Sequence, residues 1–249
     1  MTTTALQEID ENESTFDTAA FAKQALSSRR ALAAVIDHTL LKPEATREQV
    51  LKLCAEAAEH RFACAMVNPA WVPTAYAALA GTGVPVGVVV GFPLGANLTT
   101  TKREETAALV RLGARELDMV LNIGLLKSGE NALVQNDIRG VAEVVHEAGA
   151  ILKVILETSL LNLAEKLRAS ELACLAGADF LKTSTGFAPT GGATAEDVAL
   201  LRGVAGGRCG VKASGGIRTL EDARAMIEAG ANRIGASASV AIVQALDAT

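Results

Sequence analysis

Residues 148–156 read AGAILKVIL. Gly149 stands where an amphipathic helix should stop, and the aliphatic run behind it has the length of a strand. The same joint recurs as LGARELDMV (112–120), AGADFLKTS (176–184) and AGANRIGAS (229–237). Glycine accepts the left-handed backbone that closes a helix, so Gly113, Gly149, Gly177 and Gly230 mark helix ends. Working outward gives eight candidate strands: VIDHT (35–39), FACAMV (62–67), VPVGVVV (84–90), ELDMVLN (116–122), ILKVILE (151–157), DFLKT (179–183), CGVKA (209–213) and NRIGA (232–236). A helix follows each. Strands that alternate with helices pair in parallel, and eight such units predict an α/β fold, a closed (β/α)8 TIM barrel over residues 31–249. A chain near ~250 residues suits one such barrel. The rival, an open doubly wound sheet binding a nucleotide, needs a Gly-x-Gly-x-x-Gly turn after an early strand, and none stands there.

Helix starts are signalled by a threonine with Gln, Glu or Asp three residues on: Thr46, Thr101, Thr194 and Thr219. Residues 1–30 read as an extension. The first ~17 are acidic and polar, a mobile tail by composition, and DTAAFAKQALSSRR (17–30) reads as a short helix capping one end of the core.

Half of the 249 residues are hydrophobic but only 3% are aromatic, so the core is aliphatic, as parallel sheets under helices require. The net charge of −5 offers no basic face to nucleic acid or anionic membrane. No apolar run reaches the ~18 residues of a membrane span, and the N-terminus lacks a basic-then-apolar leader. Cys54, Cys64, Cys174 and Cys209 show no paired spacing. They are expected to be reduced thiols of a cytoplasmic protein.

Four consecutive strands each carry a charge in an apolar run: Asp118, Lys153, Lys182 and Lys212. Neighbouring strands lie ~4.8 Å apart, so inward side chains at these positions converge. One reading is a buried ion network that fixes register. Three lysines and one aspartate do not balance, however, and surplus buried cations are costly. A need for depressed lysine basicity explains the surplus better. A lysine of pKa ~10.4 holds almost no free amine near neutrality. Burial and a second cation lower that value. A fall of ~3 units, costing roughly 4 kcal/mol, frees an amine that forms Schiff bases with carbonyls. A carboxylate such as Asp118 then moves protons. These residues reach a Schiff-base lyase or aldolase, without telling which lysine is the nucleophile. An isomerase would need a carboxylate base and no imine, and a barrel that only binds phosphosugars would not need three inward lysines.

After the seventh strand comes SGGIRTLEDA, and after the eighth GASASV, each opening a helix. Helix N-termini and glycine turns leave amides free for anions, and in barrels the loops after strands 7 and 8 commonly hold phosphate.

With these residues in view, the chain resembles the deoxyribose-phosphate aldolase family. The resemblance covers about residues 33–240 through DHTLLKPEAT, VNPAWV, GFPLGAN, ELDMVLNIGLLKSG, LKVILET, DFLKTSTGF and GVKASGGIRT, in family order. It implies cleavage of 2-deoxy-D-ribose 5-phosphate to D-glyceraldehyde 3-phosphate and acetaldehyde, with no metal or cofactor, by an enzyme whose relatives include dimers and tetramers. By matching motifs, Lys182 forms the Schiff base, while Lys212 and Asp118 perturb it and relay protons. Asp37 and Lys153 line the pocket as supporting groups. The phosphate rests on Gly186, Gly215, Gly216 and Ser237, helped by Arg218. Three departures stand out. Met66 replaces a cysteine that aldehyde products trap in other members, which implies aldehyde tolerance, with Cys64 one layer deeper as core. Phe187 stands where some members carry lysine, and the tail VQALDAT lacks a terminal tyrosine.

The remaining candidates have plain readings. His60 and His146 lie in helices. His38 ends the first strand, where substrate contact is conceivable. Trp71 and Tyr76 pack from a helix, and KREETAALVR (102–111) reads as a solvated helix face.

Overall fold

The computed structural model describes residues 16–246. After helices α1 (Thr18–Ala25) and α2 (Arg29–Ala33), strands and helices alternate. The first half runs β1 (Ile36–Leu40), α3 (Arg47–His60), β2 (Cys64–Val67), α4 (Val72–Ala78), β3 (Val86–Val90), α5 (Thr99–Arg111) and β4 (Ala114–Val120). Two helices then follow, α6 (Ile123–Lys127) and α7 (Asn131–Glu147). The second half runs β5 (Ile151–Ile155), α8 (Leu163–Leu175), β6 (Phe180–Lys182), α9 (Ala195–Ala205), β7 (Gly210–Ser214), α10 (Leu220–Glu228), β8 (Arg233–Ala236) and α11 (Ser239–Ala245). The eight strands pair in parallel, in sequence order, and β8 closes on β1. The chain is a TIM barrel, and every predicted strand is present. The acidic segment before residue 16 and the last three residues of the tail lie outside the described residues.

The helix-ending glycines behave as read. Gly113, Gly149, Gly177 and Gly230 follow their helices with φ of 108°, 63°, 95° and 112°. Thr46 and Thr219 form reciprocal capping boxes with Gln49 and Asp222; such caps contribute about 1 kcal/mol each. Thr194 caps α9 by accepting from the Asp197 amide. Thr101 caps nothing: α5 starts two residues earlier, with Leu98 in the cap position, because Thr99 and Lys102 are drawn inward to Asp137. Asn162 and Glu165 make a third box, at the start of α8. Helices α1 and α2 pack on α10 and α11.

Alternation along each strand divides the core. Outward residues such as Val88, Leu117, Leu152, Val154, Leu181, Val211 and Ile234 pack under the helices in one aliphatic cluster. The barrel interior is different. One part is a small apolar group of Leu41, Cys64, Met66 and Val89 with Phe92 packed on it. Val120 and Ile155 add to it on the faces of Asp118 and Lys153, and the layer below them is charged. Among the described residues, no helix is long and apolar enough to cross a membrane.

Candidate active site

Strands β4 to β7 deliver the four sequence-predicted charges to one point, because register aligns them. Asp118 lies beside Lys153 across β4–β5, and Lys182 beside Lys212 across β6–β7. Asp118 is the hub. Its Oδ2 accepts from Lys182 Nζ at 2.7 Å and from Lys212 Nζ at 2.7 Å, and its Oδ1 accepts from Lys153 Nζ at 3.0 Å. Asp37 joins from β1: its Oδ2 accepts from Lys212 at 2.5 Å and lies 3.6 Å from Lys153. Gly235 makes room for this arrangement, since a Cβ there would stand 3.0 Å from Lys212 Cε.

Two members escaped the sequence reading. Glu116, two residues before Asp118 on the same inward face, meets Lys153 at 2.6 Å. Arg233 of β8 bonds Asp37 at 2.7 Å and Glu116 at 3.0 Å. Alternation of ELD in β4 and the arginine in NRIGA were the available signals. With them the cluster holds Lys153, Lys182, Lys212 and Arg233 against Asp37, Glu116 and Asp118. The cation surplus is therefore one, smaller than three lysines against one aspartate implied.

That near balance separates the lysines. All three are buried, and burial alone disfavours charge on each. For Lys153 the three carboxylates overcome burial and hold its pKa well above the usual range. For Lys212 Asp118 and Asp37 do the same, more weakly. Lys182 has only Asp118, an acceptor that it shares. Burial first, and the charge of Lys212 second, outweigh that partner and bring Lys182 down to about 8. The neighbouring cation contributes, but desolvation is the larger cause. Burial opposes ionisation of both aspartates, yet the surrounding lysines, with Arg233 at Asp37, keep both well below the usual carboxylate range.

Lys182 forms part of the lining of a cavity of about 410 Å3 at the C-terminal end of the barrel. The predicted phosphate residues Gly186, Gly215, Gly216, Arg218 and Ser237 all line it, with Thr39, Lys42 and Ser214. Gly215 and Gly216 adopt φ of 87° and 83°. Positive φ at both positions is open to glycine and costly for a residue with a side chain. Among the described residues, the amides of Gly186, Gly215, Gly216 and Ser237 donate to no backbone or side-chain acceptor. Asp37, Asp118, Lys153 and Lys212 lie deeper and do not line the cavity; Asp37 and Lys153 touch Lys212 and Asp118 behind Lys182.

The loop after β6 is held by another residue missed in the sequence. Glu157 follows β5 in a left-handed conformation, φ 55° and ψ 62°, rare for a side-chain-bearing residue. Its buried carboxylate accepts from the Thr185 hydroxyl and, at 3.2 Å, from the Thr185 amide. Thr185 Oγ1 in turn accepts from the Phe187 amide at 3.0 Å. The turn is thereby fixed with the Gly186 amide left over. Phe187, 46% exposed, meets Phe92 edge to face at 5.2 Å and walls the cavity mouth.

Other candidates fall away from the site. His38 points outward, stacks on Phe62 and bonds Glu56 at 2.9 Å, so it does not face the cavity. His146 bonds Asp179 at 3.0 Å. Lys102 is not on a solvated face: it is fully buried, 2.6 Å from Asp137. Cys64 and Met66 both point inward, toward Gly87. The Cys64 thiol is fully buried, and burial, then Asp37 and Glu116, push it well above its usual range. Asp37, Cys64 and Glu116 lie close enough to hold a metal ion, all within 4.8 Å. Lys153, Lys212 and Arg233 already occupy the space between the carboxylates and neutralise them.

Residues 31–245 match the profile described as DeoC/LacD family aldolase. A deoxyribose-phosphate aldolase from Bacillus cytotoxicus is 57% identical over 212 residues, 85% of this chain and 94% of its own. One from Caldanaerobacter subterraneus subsp. tengcongensis is 58% identical over 214 residues, 86% and 92% of the two chains. Among solved structures, the tetrameric deoxyribose phosphate aldolase of Aeropyrum pernix superposes with a TM-score of 0.85 at 35% identity. It covers 93% of this chain and 97% of its own. A barrel with a low-pKa lysine under an amide-lined cavity, matched over this length and at this identity, belongs to the DeoC/LacD aldolase family.

Proposed function

We propose that the protein is a class I aldolase that reversibly cleaves 2-deoxy-D-ribose 5-phosphate to D-glyceraldehyde 3-phosphate and acetaldehyde through a Schiff base on Lys182. One observation carries the reading. Of the three lysines on one carboxylate, only Lys182 is brought down, to about 8, and it borders the cavity that the free amides line. The relatives named above carry the same activity in their names.

In this reading the phosphate docks on the amides of Gly186, Gly215, Gly216 and Ser237, with Arg218 at the rim. The sugar aldehyde, C1, then faces Lys182. The neutral amine attacks C1, and loss of water gives a protonated imine. The imine draws the electrons of the C2–C3 bond as that bond breaks. The C3 hydroxyl gives up its proton, and glyceraldehyde 3-phosphate leaves. The enamine left on Lys182 takes a proton at C2, and hydrolysis releases acetaldehyde. Asp118 Oδ2 touches both Lys182 and Lys212, so a proton passes between the two amines through a single oxygen. Lys153 and Asp37 keep their charges and hold Asp118 and Lys212 in place. A homo-oligomer, as in the tetrameric Aeropyrum relative, belongs to the same proposal and is read by analytical ultracentrifugation.

The test is cleavage of deoxyribose 5-phosphate, coupled to reductive trapping with acetaldehyde and borohydride. The adduct should map to Lys182 and vanish in Lys182→Ala. An adduct on Lys212 or Lys153, or none in an active enzyme, would overturn the assignment.

A further inference from the structure

Outside the catalytic cavity, one pair of nucleophilic side chains is unusually close. Cys174, near the C-terminal end of α8, and Cys209, one residue before β7, place their sulfurs 2.8 Å apart. The other two cysteines, Cys54 and Cys64, are buried away from any thiol partner among the described residues. The two sulfurs need to close by only about 0.8 Å to reach the ~2.05 Å of a disulfide.

We propose that Cys174 and Cys209 form an oxidisable dithiol site that takes small peroxides and closes to an intramolecular disulfide. The two residues have different surroundings, and these fix the order of events. Cys174 is partly exposed, so a small oxidant reaches it, whereas Cys209 is buried. Either sulfur can be the donor in this contact; with Cys209 donating, that bond, aided by Arg208, lowers the Cys174 thiol against the opposing effect of burial. Cys209 is correspondingly pushed up. Thiolate character and access together mark the attacking sulfur. The Cys174 thiolate attacks a peroxide oxygen, giving a sulfenic acid and hydroxide, which takes a proton to become water. The Cys209 sulfur then attacks the Cys174 sulfur, the S–O bond breaks, and the departing hydroxide takes the Cys209 proton and leaves as a second water. In sum, two thiols and one hydrogen peroxide give one disulfide and two waters.

The position decides what the bond does. Helix α8 runs back against the strand direction, so Cys174 and Cys209 sit by the N-terminal end of the barrel. The catalytic cavity is at the other end. The bond would close a loop of 35 residues spanning β6 and α9. Closure of a loop of that length restricts the unfolded chain and raises stability. Cross-linking should therefore stabilise the barrel and leave turnover alone.

The experiment treats the purified full chain with hydrogen peroxide in slight excess. Titratable thiols under denaturing conditions should fall from four to two. A non-reducing peptide map should show Cys174 joined to Cys209, and Tm should rise by roughly 5 °C or more, reversibly with dithiothreitol. Deoxyribose-phosphate cleavage, or borohydride trapping should that substrate prove wrong, should not change. In Cys209→Ser the linked peptide should disappear and a Cys174 sulfenic acid should be captured by dimedone. Four thiols surviving peroxide, or linked peptides containing Cys54, Cys64 or two copies of one cysteine, would overturn the proposal.

Discussion

Two buried lysines, Lys102 and Lys182, show what separates a strut from a nucleophile. Lys102 of α5 is fully buried and satisfied one to one. It donates to Asp137 at 2.6 Å and to the Val120 carbonyl at 3.0 Å, while Thr99 fills the other Asp137 oxygen at 2.8 Å. Lys182 is buried just as deeply, but its single carboxylate also serves Lys153 and Lys212. The first arrangement ties α5 and α7 to the end of β4. The second leaves one amine short of counter-charge, and that amine is the one that reaches the cavity. Burial is common to both sites. The count of carboxylates per lysine distinguishes them.

The largest effect should come from deleting the under-compensated amine. Lys182→Met is expected to lose at least roughly 10³-fold in turnover, yet to be no less stable than the parent at pH 7. The folded state holds Lys182 at about 8 against an ordinary 10.5. Below pH 8 this costs on the order of 3 kcal/mol, and the cost fades as pH rises from 8 to 10.5, where the unfolded chain also loses its proton. Parental stability should thus gain on the variant across that window. Urea melts at pH 7 and pH 9.5 measure it; a variant that is less stable at pH 7 would break the contrast.

Lys102→Met should do the reverse. It strands Asp137 in the core, so a loss of about 3–5 kcal/mol in urea melts is expected. Folded molecules should still form the Schiff base with acetaldehyde. If the variant is as stable as the parent, Lys102 is not the strut described.

The same contrast explains what the sequence could say. The barrel was legible because its signals are periodic: an aliphatic run recurs eight times with a helix after each, and at four of the joints a glycine ends the helix before the run. Lys153, Lys182 and Lys212 were legible because a charge in a short aliphatic run has no solvated face to occupy. Lys102 was not, since a lysine among Arg103, Glu104 and Glu105 looks like any helix surface. Only the packing of α5 on α7 turns it inward. Glu116 was hidden by its place at the predicted end of a strand, and Arg233 by its place at the start of a short one. The choice among three lysines was not legible from spacing, because it depends on how Asp37 and Glu116, from other strands, divide their charge. The Cys174–Cys209 contact joins positions 35 residues apart that share no motif.

A third measurement addresses the balance itself. Lys212 is the second cause, after burial, of the low Lys182 value. In Lys212→Met the midpoint of Lys182 modification, followed as the rate of reductive alkylation against pH, should move up from about 8. Amine reactivity at pH 7 should fall up to about tenfold for each unit of that movement. An unmoved midpoint would assign the depression to burial, with Lys153 the remaining cation, and not to Lys212.

The smallest effect should come from the far side of the cavity, at Glu157. This carboxylate accepts from Thr185 alone, through its amide and its hydroxyl, with no cation beside it among the contacts described. The strained left-handed backbone at Glu157 aims it there. Its consequence is local: Thr185 is held, the Phe187 amide is occupied, and the Gly186 amide is left for an anion. Glu157→Gln keeps the shape but sets an NH2 group against one of the two Thr185 donors. A hydrogen bond of this kind is worth about 1–2 kcal/mol. KM for deoxyribose 5-phosphate should therefore rise roughly 5- to 20-fold with kcat little changed. KM for unphosphorylated deoxyribose should stay where it is, because the amine end of the cavity is untouched. Equal losses on both sugars would mean that Glu157 supports the whole loop, Lys182 included, and that the two ends of the cavity are not separable.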